Sequence, residues 1–229
     1  ISFSVASGET VAFIGSTGSG KSTLINLVPR FYDATDGEIL IDGKPIKDYS
    51  LSCLRNKLGY ISQKATLFSG TVKENIEFGQ EKPLSEEQIK QALSLSCGLD
   101  FVEKMPEKEN SFITQGGTNI SGGQKQRLSI ARAIARNPEI LVFDDSFSAL
   151  DYKTDHALRD NLKTKFTDAT KLIVAQRIGT IKDADKIVVL SDGKIAGIGT
   201  HKNLLDSCEI YKEIALSQLS KEEIENDLK

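Results

Sequence analysis

Two adjacent carboxylates, Asp144 and Asp145, directly follow the apolar run ILVF at residues 140–143. A continuous apolar run is typical of a strand buried on both faces of a parallel sheet, so both acids are expected at the carboxyl edge of that sheet. At that edge one carboxylate could hold a metal ion, and the other could act as a general base for a water. A base must reach the proton that it takes, so the length of each side chain matters.

Residues 15–22, GSTGSGKS, match the phosphate-loop pattern GxxxxGK[ST] and lie between a short strand pattern, TVAFIG, and a helical one. Glycines let backbone N–H groups converge on phosphates, while the lysine reaches the β- and γ-phosphates and the last serine supplies an oxygen to Mg²⁺. The alternative is a glycine-rich turn with an unrelated lysine, but chance matches are expected in only on the order of one per cent of such chains. The predicted nucleotide-binding residues are Gly15, Ser16, Thr17, Gly18, Ser19, Gly20, Lys21, Ser22 and Thr23, and Ser22 is also a predicted metal ligand.

Gln63 ends another short strand pattern, LGYISQ. A long neutral amide at this point could simply cap the strand. At the carboxyl edge of a nucleotide-binding sheet it could equally contact the metal ion or its water. The residues alone leave both interpretations open.

A second glycine-rich helix start occurs at Ser121, Gly122 and Gly123, before a helical pattern that Pro138 ends. Such a start could bind an anion, because the first N–H groups of a helix have no partner within it. Spacing alone favours an ordinary N-cap. The helix would then carry a solvated basic face, formed by Lys125, Arg127, Arg132 and Arg136.

Composition narrows the class of protein. The 229 residues include 27% charged residues and have a net charge of −3, which does not indicate a nucleic-acid binder. No apolar run reaches the ~18 residues of a membrane span. Cys53, Cys97 and Cys208 have neither zinc spacing nor a disulfide framework, so a reducing, cytosolic setting is expected.

The other patterns describe alternating strands and helices. ISFSV at residues 1–5 predicts a half-buried strand, and because such a strand needs neighbours we expect the chain to belong to a longer polypeptide. Antiparallel hairpins are predicted at the Asp42-Gly43 and Asp192-Gly193 turns. Residues 85–105 read as helical with an interruption at Gly98, residues 171–177 as a buried strand, and residues from about 202 onward as helical.

With these pieces in order, the chain resembles the nucleotide-binding domain of an ABC transporter over nearly its whole length. The specific feature is ISGGQ at residues 120–124, close to the family's LSGGQ signature and placed before the Walker B acid. The resemblance implies that Gln63 is the Q-loop glutamine and a metal ligand, that Asp144 is the Walker B aspartate and a metal ligand, and that residues 148–151, SALD, form the D-loop. LFSGTVKENIEFG at residues 67–79 is similar to the exporter type, whose transmembrane domain is fused upstream.

The fold that this resemblance implies is α/β, a P-loop NTPase core with a mostly parallel sheet. The core would comprise about residues 1–75 and 138–229, with an antiparallel β flank near 37–49 and an inserted α-helical subdomain at about 76–137. The whole of residues 1–229 would form one ABC nucleotide-binding domain.

The resemblance also implies a way of working. Such domains pair head to tail with a second nucleotide-binding domain, and each ATP with its Mg²⁺ lies between one phosphate loop and the other domain's signature. The signature residues here are Ser121, Gly122, Gly123 and Gln124. ATP binding and hydrolysis would drive export across a membrane from its cytoplasmic face. The adenine-stacking aromatic of the family would precede Ile1, because Phe3 and Phe13 lie too close to the phosphate loop.

Two positions depart from the family pattern. Active members have glutamate where this chain has Asp145, and histidine in the sixth strand where it has Gln176. Aspartate is one methylene shorter, and an amide can neither take a proton nor carry charge. We therefore expect Asp145, Gln176 and Gln63 to form a degenerate catalytic set in one half of a heterodimer, with weak or no hydrolysis by the domain alone. The alternative is a regulatory or non-transport ABC module.

Overall fold

The structure, a computed structural model, describes residues 1–80 and 82–228. A central sheet has the strand order β10-β9-β1-β8-β7-β4, and two short two-stranded sheets, β2-β3 and β5-β6, lie outside it. The strands are β1 (Thr10–Ile14), β2 (Leu40–Ile41), β3 (Lys44–Pro45), β4 (Leu58–Ile61), β5 (Gly70–Thr71), β6 (Phe112–Ile113), β7 (Ile140–Asp144), β8 (Thr170–Val174), β9 (Lys186–Ser191) and β10 (Lys194–Gly199).

Helices connect and cover these strands. They are α1 (Lys21–Asn26), α2 (Leu51–Asn56), α3 (Val72–Glu77), α4 (Glu86–Leu95), α5 (Leu99–Val102), α6 (Gly122–Ile134), α7 (Tyr152–Lys165), α8 (Ile178–Ile181), α9 (His201–Ser207), α10 (Glu209–Leu216) and α11 (Lys221–Leu228). Among the described residues, no helix is both long and apolar enough to cross a membrane. The predicted α/β class with a mostly parallel sheet is confirmed.

Parallel pairing brings the polar strand ends to one edge. β1 pairs with β8 and β9, β7 pairs with β4 and β8, and all of these pairs are parallel. The register places Ile61 opposite Phe143 and Asp144 opposite Val174. The segments that follow β1, β4, β7 and β8 therefore leave the sheet on the same side, where ligands bind in open α/β sheets.

The sheet is buried on both faces, which explains the continuous apolar runs. On one face Ala12, Ile14 and Phe143 pack with the buried apolar side chains of α6 and α7. On the other, Val11 and Phe13 pack with Ile25 of α1. Alternate residues of a strand point to opposite faces, so an apolar run with no polar position requires helices on both sides.

The two predicted hairpins are confirmed, because β2 pairs with β3 and β9 with β10 in antiparallel fashion. Asp42 and Gly43 have φ values of 54° and 73°, and Asp192 and Gly193 have 49° and 73°. Positive φ at both central residues is the requirement of the two-residue turn that joins tightly twisted strands.

The prediction of a strand at residues 1–5 is wrong. Residues 1–6 form no strand, although Phe3 meets Phe13 edge to face at 5.6 Å between ring centroids and Val5 packs on the same cluster. Both neighbours of β1 in the sheet, β8 and β9, are already in place, so no ladder position beside it is open. The alternation at residues 1–5 arises because Phe3 and Val5 pack against a face of the sheet while the residue between them is exposed.

The solvated basic face of the signature helix, favoured by spacing alone, is also wrong in part. Arg132 donates to the backbone oxygens of Asn75 and Thr66, and lies over the rings of Phe68 and Phe78. Burial lowers the pKa of Arg132 to about 10. This arginine instead joins α6 to α3 and to the loop before it.

Candidate functional site

The phosphate loop closes around the amine of Lys21. The Lys21 Nζ donates to the backbone oxygens of Gly15 and Ser16 at 2.8 and 2.7 Å, and to Ser19 Oγ at 3.2 Å. The side chain is buried, and burial lowers its pKa, while the nearby carboxylates of Asp145 and Asp144 raise it. A cation held at the centre of the loop by oxygens of the loop itself is placed to meet a phosphate that enters it.

Gly15 is where the loop leaves the sheet. Its φ is +153°, and a Cβ at this position would lie 2.0 Å from the backbone oxygen of Leu190. Gly18 has a φ of +84°, and a Cβ added there would lie in open space. The two glycines therefore differ in steric cost although both have a positive φ.

Gly15→Ala is expected to destabilise the fold by more than ~3 kcal/mol, because β1 or β9 must move to admit the methyl group. Gly18→Ala serves as the control and should cost only about 1–2 kcal/mol of backbone strain. Urea denaturation of the two variants measures both. Equal stability of the two would contradict the close approach to Leu190.

Ser22 and Asp144 meet across the edge of the sheet. Ser22, in the first turn of α1, donates its hydroxyl to Asp144 Oδ1 at 2.7 Å. Asp144 is the last residue of β7 and is buried. A hydroxyl and a carboxylate side by side are hard oxygen donors of the type that Mg²⁺ prefers. The predicted metal ligands Ser22 and Asp144 are therefore neighbours, and Gln63 lies next to Asp145.

Asp145 is held by two amides. The Nε2 atoms of Gln63 and Gln176 both donate to the same oxygen, Asp145 Oδ2, at 3.0 and 2.6 Å. Burial raises the pKa of Asp145, and these two hydrogen bonds oppose that rise because they favour the charged form. Gln63, Asp145 and Gln176 are here called the amide clamp. Their hydrogen bonds join the end of β7 to the segments after β4 and β8.

The backbone of Asp145 is also fixed. Its φ of 48° is in the left-handed region, its N–H donates to Val174 O at 3.0 Å, and its carbonyl oxygen accepts from Ser148 Oγ at 2.6 Å. A left-handed aspartate is uncommon and here turns the chain sharply out of β7. The turn sets the direction of the Asp145 side chain and leads directly into residues 148–151.

Ser121 starts α6 with a reciprocal cap. Its Oγ accepts from the Gln124 N–H, and the Gln124 Oε1 accepts from the Ser121 N–H at 2.8 Å. Gly122, the first residue of the helix, is exposed, and apart from its chain neighbours and the backbone of its own helix no described atom lies within 4 Å of the place where its Cβ would be. Further along the helix, the buried Gln126 donates to Ser62 O at 3.2 Å, which ties the helix to the segment that carries Gln63.

The structure thus joins most of the predicted residues in one continuous group. Lys21, Ser22, Asp144 and the amide clamp lie together at the carboxyl edge of the sheet. In the signature, Ser121 and Gln124 bond to each other, and the helix start at Gly122 is exposed.

The comparison with known families decides the affiliation of the chain. The model of the family described as ABC transporter matches residues 1–148 of this chain. The chain belongs to the ABC transporter family. The family predicted from the residues 120–124 and the motifs around them is therefore confirmed.

Individual ABC relatives resemble nearly the whole chain. A putative multidrug export ATP-binding/permease protein of Staphylococcus aureus is 46% identical over 214 residues, which make up 93% of this chain and 37% of that protein. An ATP-dependent lipid A-core flippase of Haemophilus influenzae is 44% identical over 220 residues, or 96% of this chain and 38% of that protein. The structure of a bacterial Atm1-family ABC exporter with ATP bound matches with a TM-score of 0.91 and 36% identity, covering 96% of this chain and 38% of that one.

This ABC transporter chain therefore spans less than two fifths of the length of these relatives.

Tyr60 also lies at the site, although no sequence motif marks it. The hydroxyl of Tyr60 lies 3.2 Å from Asp144 Oδ2 and 2.8 Å from Asn26 Oδ1. Tyr60 belongs to the strand pattern LGYISQ, and a half-buried aromatic in a strand gives no signal of a contact with the next strand's carboxylate.

Proposed function

We propose that this chain is the ATP-binding domain of an ABC exporter, and that its own catalytic site is degenerate. The observation that carries the proposal is the amide clamp, in which Gln63 and Gln176 both donate to one oxygen of Asp145. The remaining ABC elements, from the phosphate loop to the signature, are complete in the sequence.

The phosphate loop is the proposed ATP site. Residues 15–23 supply backbone N–H groups at the start of α1, and Lys21 supplies the charge that meets the β- and γ-phosphates. Ser22 and Asp144 fit Mg²⁺, since their oxygens are adjacent and hard, and Gln63, whose nitrogen donates to Asp145, would offer its side-chain carbonyl oxygen. When bound, Mg²⁺ supplies positive charge to the phosphate oxygens.

Asp145 is a poor candidate for a base, for two reasons. Its side chain is one methylene shorter than the glutamate of active members, and a base must come within roughly 2.6–3.2 Å of the proton it takes. Its Oδ2 is already occupied by two amide donors. The neighbouring Gln176 can donate a hydrogen bond but cannot accept a proton at its nitrogen. We infer that this site binds ATP and hydrolyses it slowly.

The signature is proposed to act on a second domain. The exposed start of α6, with open space at the Cβ position of Gly122, leaves the first N–H groups of the helix and its dipole accessible to an anion from outside the chain. A head-to-tail partner would place its γ-phosphate there. Because the signature is intact while the chain's own base is short, the partner is proposed to be a different, catalytically competent domain.

The wider assembly follows from the family. We propose a transmembrane domain fused upstream, as the combined ATP-binding/permease name of the S. aureus relative suggests for that protein. The domain would then work at the cytoplasmic face of the cell membrane, with no nucleic-acid partner. Within it, residues 1–75 and 138–229 are proposed as the core and residues 76–137 as the helical subdomain.

The test is a gain of activity in the chain alone. Wild-type turnover is expected near background, even at high protein concentration, because a homodimer would contain two copies of the same short base. Asp145→Glu alone should add little, whereas Asp145→Glu combined with Gln176→His should raise phosphate release at least ten-fold. Wild-type turnover near the ~10 s⁻¹ typical of enzymes would show that Asp145 reaches its water.

A further inference from the structure

Tyr60 is the second polar contact of the Asp144 carboxylate. Oδ1 of Asp144 accepts from Ser22, while Oδ2 faces the Tyr60 hydroxyl at 3.2 Å. Burial raises the pKa of the Tyr60 hydroxyl, and the charge of Asp144 raises it further. A phenol hydroxyl carries one hydrogen, so at this distance it can donate to the carboxylate.

The Tyr60 hydroxyl has two oxygen neighbours but a single hydrogen. Its distances to Asn26 Oδ1 and Asp144 Oδ2 are 2.8 and 3.2 Å, and only one of them can receive the hydrogen. An ionised carboxylate is the stronger acceptor. Rotating the Asn26 amide by half a turn exchanges its oxygen for its nitrogen, which then donates to the hydroxyl. In that orientation a chain of donors would run from Asn26 through Tyr60 to Asp144, whereas the recorded orientation places the Asn26 oxygen in competition with Asp144 for the hydroxyl hydrogen.

The ring of Tyr60 is positioned by its own neighbours. Tyr60 lies opposite Val142 in the pairing of β4 with β7, so it shares a sheet face with Asp144, two residues further on. Phe31 packs edge to face on the ring at 5.0 Å, and the guanidinium of Arg55 lies over Phe31. These contacts orient the Tyr60 ring so that its hydroxyl lies beside the Asp144 carboxylate.

We propose that Tyr60 is a positioning residue for the Mg²⁺ site, because its hydroxyl holds the Asp144 carboxylate in the orientation that a metal ion requires. A carboxylate that binds a metal through one oxygen can be oriented by a hydrogen bond at the other, and such outer contacts affect metal affinity. Tyr60 would contact neither ATP nor the attacking water, and its effect would pass through Asp144. The inference rests on the Mg²⁺ role proposed above for Asp144.

The test is the Mg²⁺ dependence of nucleotide binding in Tyr60→Phe, which removes the hydroxyl and keeps the ring against Phe31. A fluorescent, non-hydrolysable ATP analogue is titrated with Mg²⁺, since the chain has no tryptophan of its own. The Mg²⁺ concentration at half-saturation is expected to rise roughly ten-fold. Binding of the analogue in excess EDTA and the melting temperature should stay close to wild type.

Two further variants complete the test. Tyr49→Phe is the matched control, since it removes another half-buried tyrosine hydroxyl, bonded to Ile41 O at 3.1 Å, and its Mg²⁺ dependence should be that of wild type. Asp144→Asn should raise the required Mg²⁺ at least as much as Tyr60→Phe. If only Asp144→Asn shifts the titration, or if Tyr60→Phe weakens binding equally with Mg²⁺ and with EDTA, the role of Tyr60 is refuted. If neither shifts it, the Mg²⁺ role of Asp144 is refuted as well.

Discussion

Gly122→Asp is expected to abolish ATP hydrolysis in the assembled exporter while this chain stays folded. A Cβ at Gly122 would have open space among the described residues, and an acid in the first turn of α6 interacts favourably with the helix dipole. The same carboxylate would occupy the place of the partner's γ-phosphate. Electrostatic stabilisation of the kind lost here is worth about 3–4 kcal/mol, or 10²–10³-fold in rate.

A matched control separates this effect from a general effect of charge. Lys202 is exposed in the first turn of α9, so Lys202→Asp places a carboxylate at a comparable helix start away from the site. It should leave the steady-state rate of phosphate release unchanged. If Gly122→Asp hydrolyses ATP as fast as Lys202→Asp, the signature of this chain does not serve a partner's nucleotide.

Lys21→Ala is expected to weaken ATP binding to the chain by roughly a hundred-fold. A charge-assisted hydrogen bond contributes ~1.5–3 kcal/mol, and 1.4 kcal/mol corresponds to a factor of ten in affinity. The variant also removes the three hydrogen bonds by which the amine closes the loop on Gly15, Ser16 and Ser19. Calorimetry with Mg-ATP measures the loss.

Lys212→Ala removes an exposed lysine of α10 and serves as the control for net charge. Its affinity for ATP should match that of wild type. An affinity of Lys21→Ala within three-fold of this control would mean that ATP binds elsewhere than in the phosphate loop.

Features with a local cause were predictable from the sequence. The Asp42-Gly43 and Asp192-Gly193 turns form because their residues accept positive φ, and Ser121 caps α6 through Gln124, three residues later. The apolar run before Asp144 required a buried strand, and its end had to lie at the sheet edge. In each case the deciding interaction lies within a few residues of chain.

Features that depend on distant partners were not predictable. The convergence of Gln63 and Gln176 on one oxygen of Asp145 depends on the order of β4, β7 and β8 in the sheet. The contact of Tyr60 with Asp144 depends on the register of the same strands. Arg132 illustrates the same limit, since its charge suggested solvent while its aromatic and carbonyl partners lie more than fifty residues earlier.

The degenerate site is tested most directly by the steady-state ATPase rate of the assembled exporter carrying Asp145→Ala, set beside the rate with Gly122→Asp. Truncating Asp145 releases the amides of Gln63 and Gln176 but removes a group that contributes little to hydrolysis, so much of the wild-type turnover should remain. Gly122→Asp should reduce turnover to background. If Asp145→Ala proves as damaging as Gly122→Asp, Asp145 is a working base and the site is not degenerate.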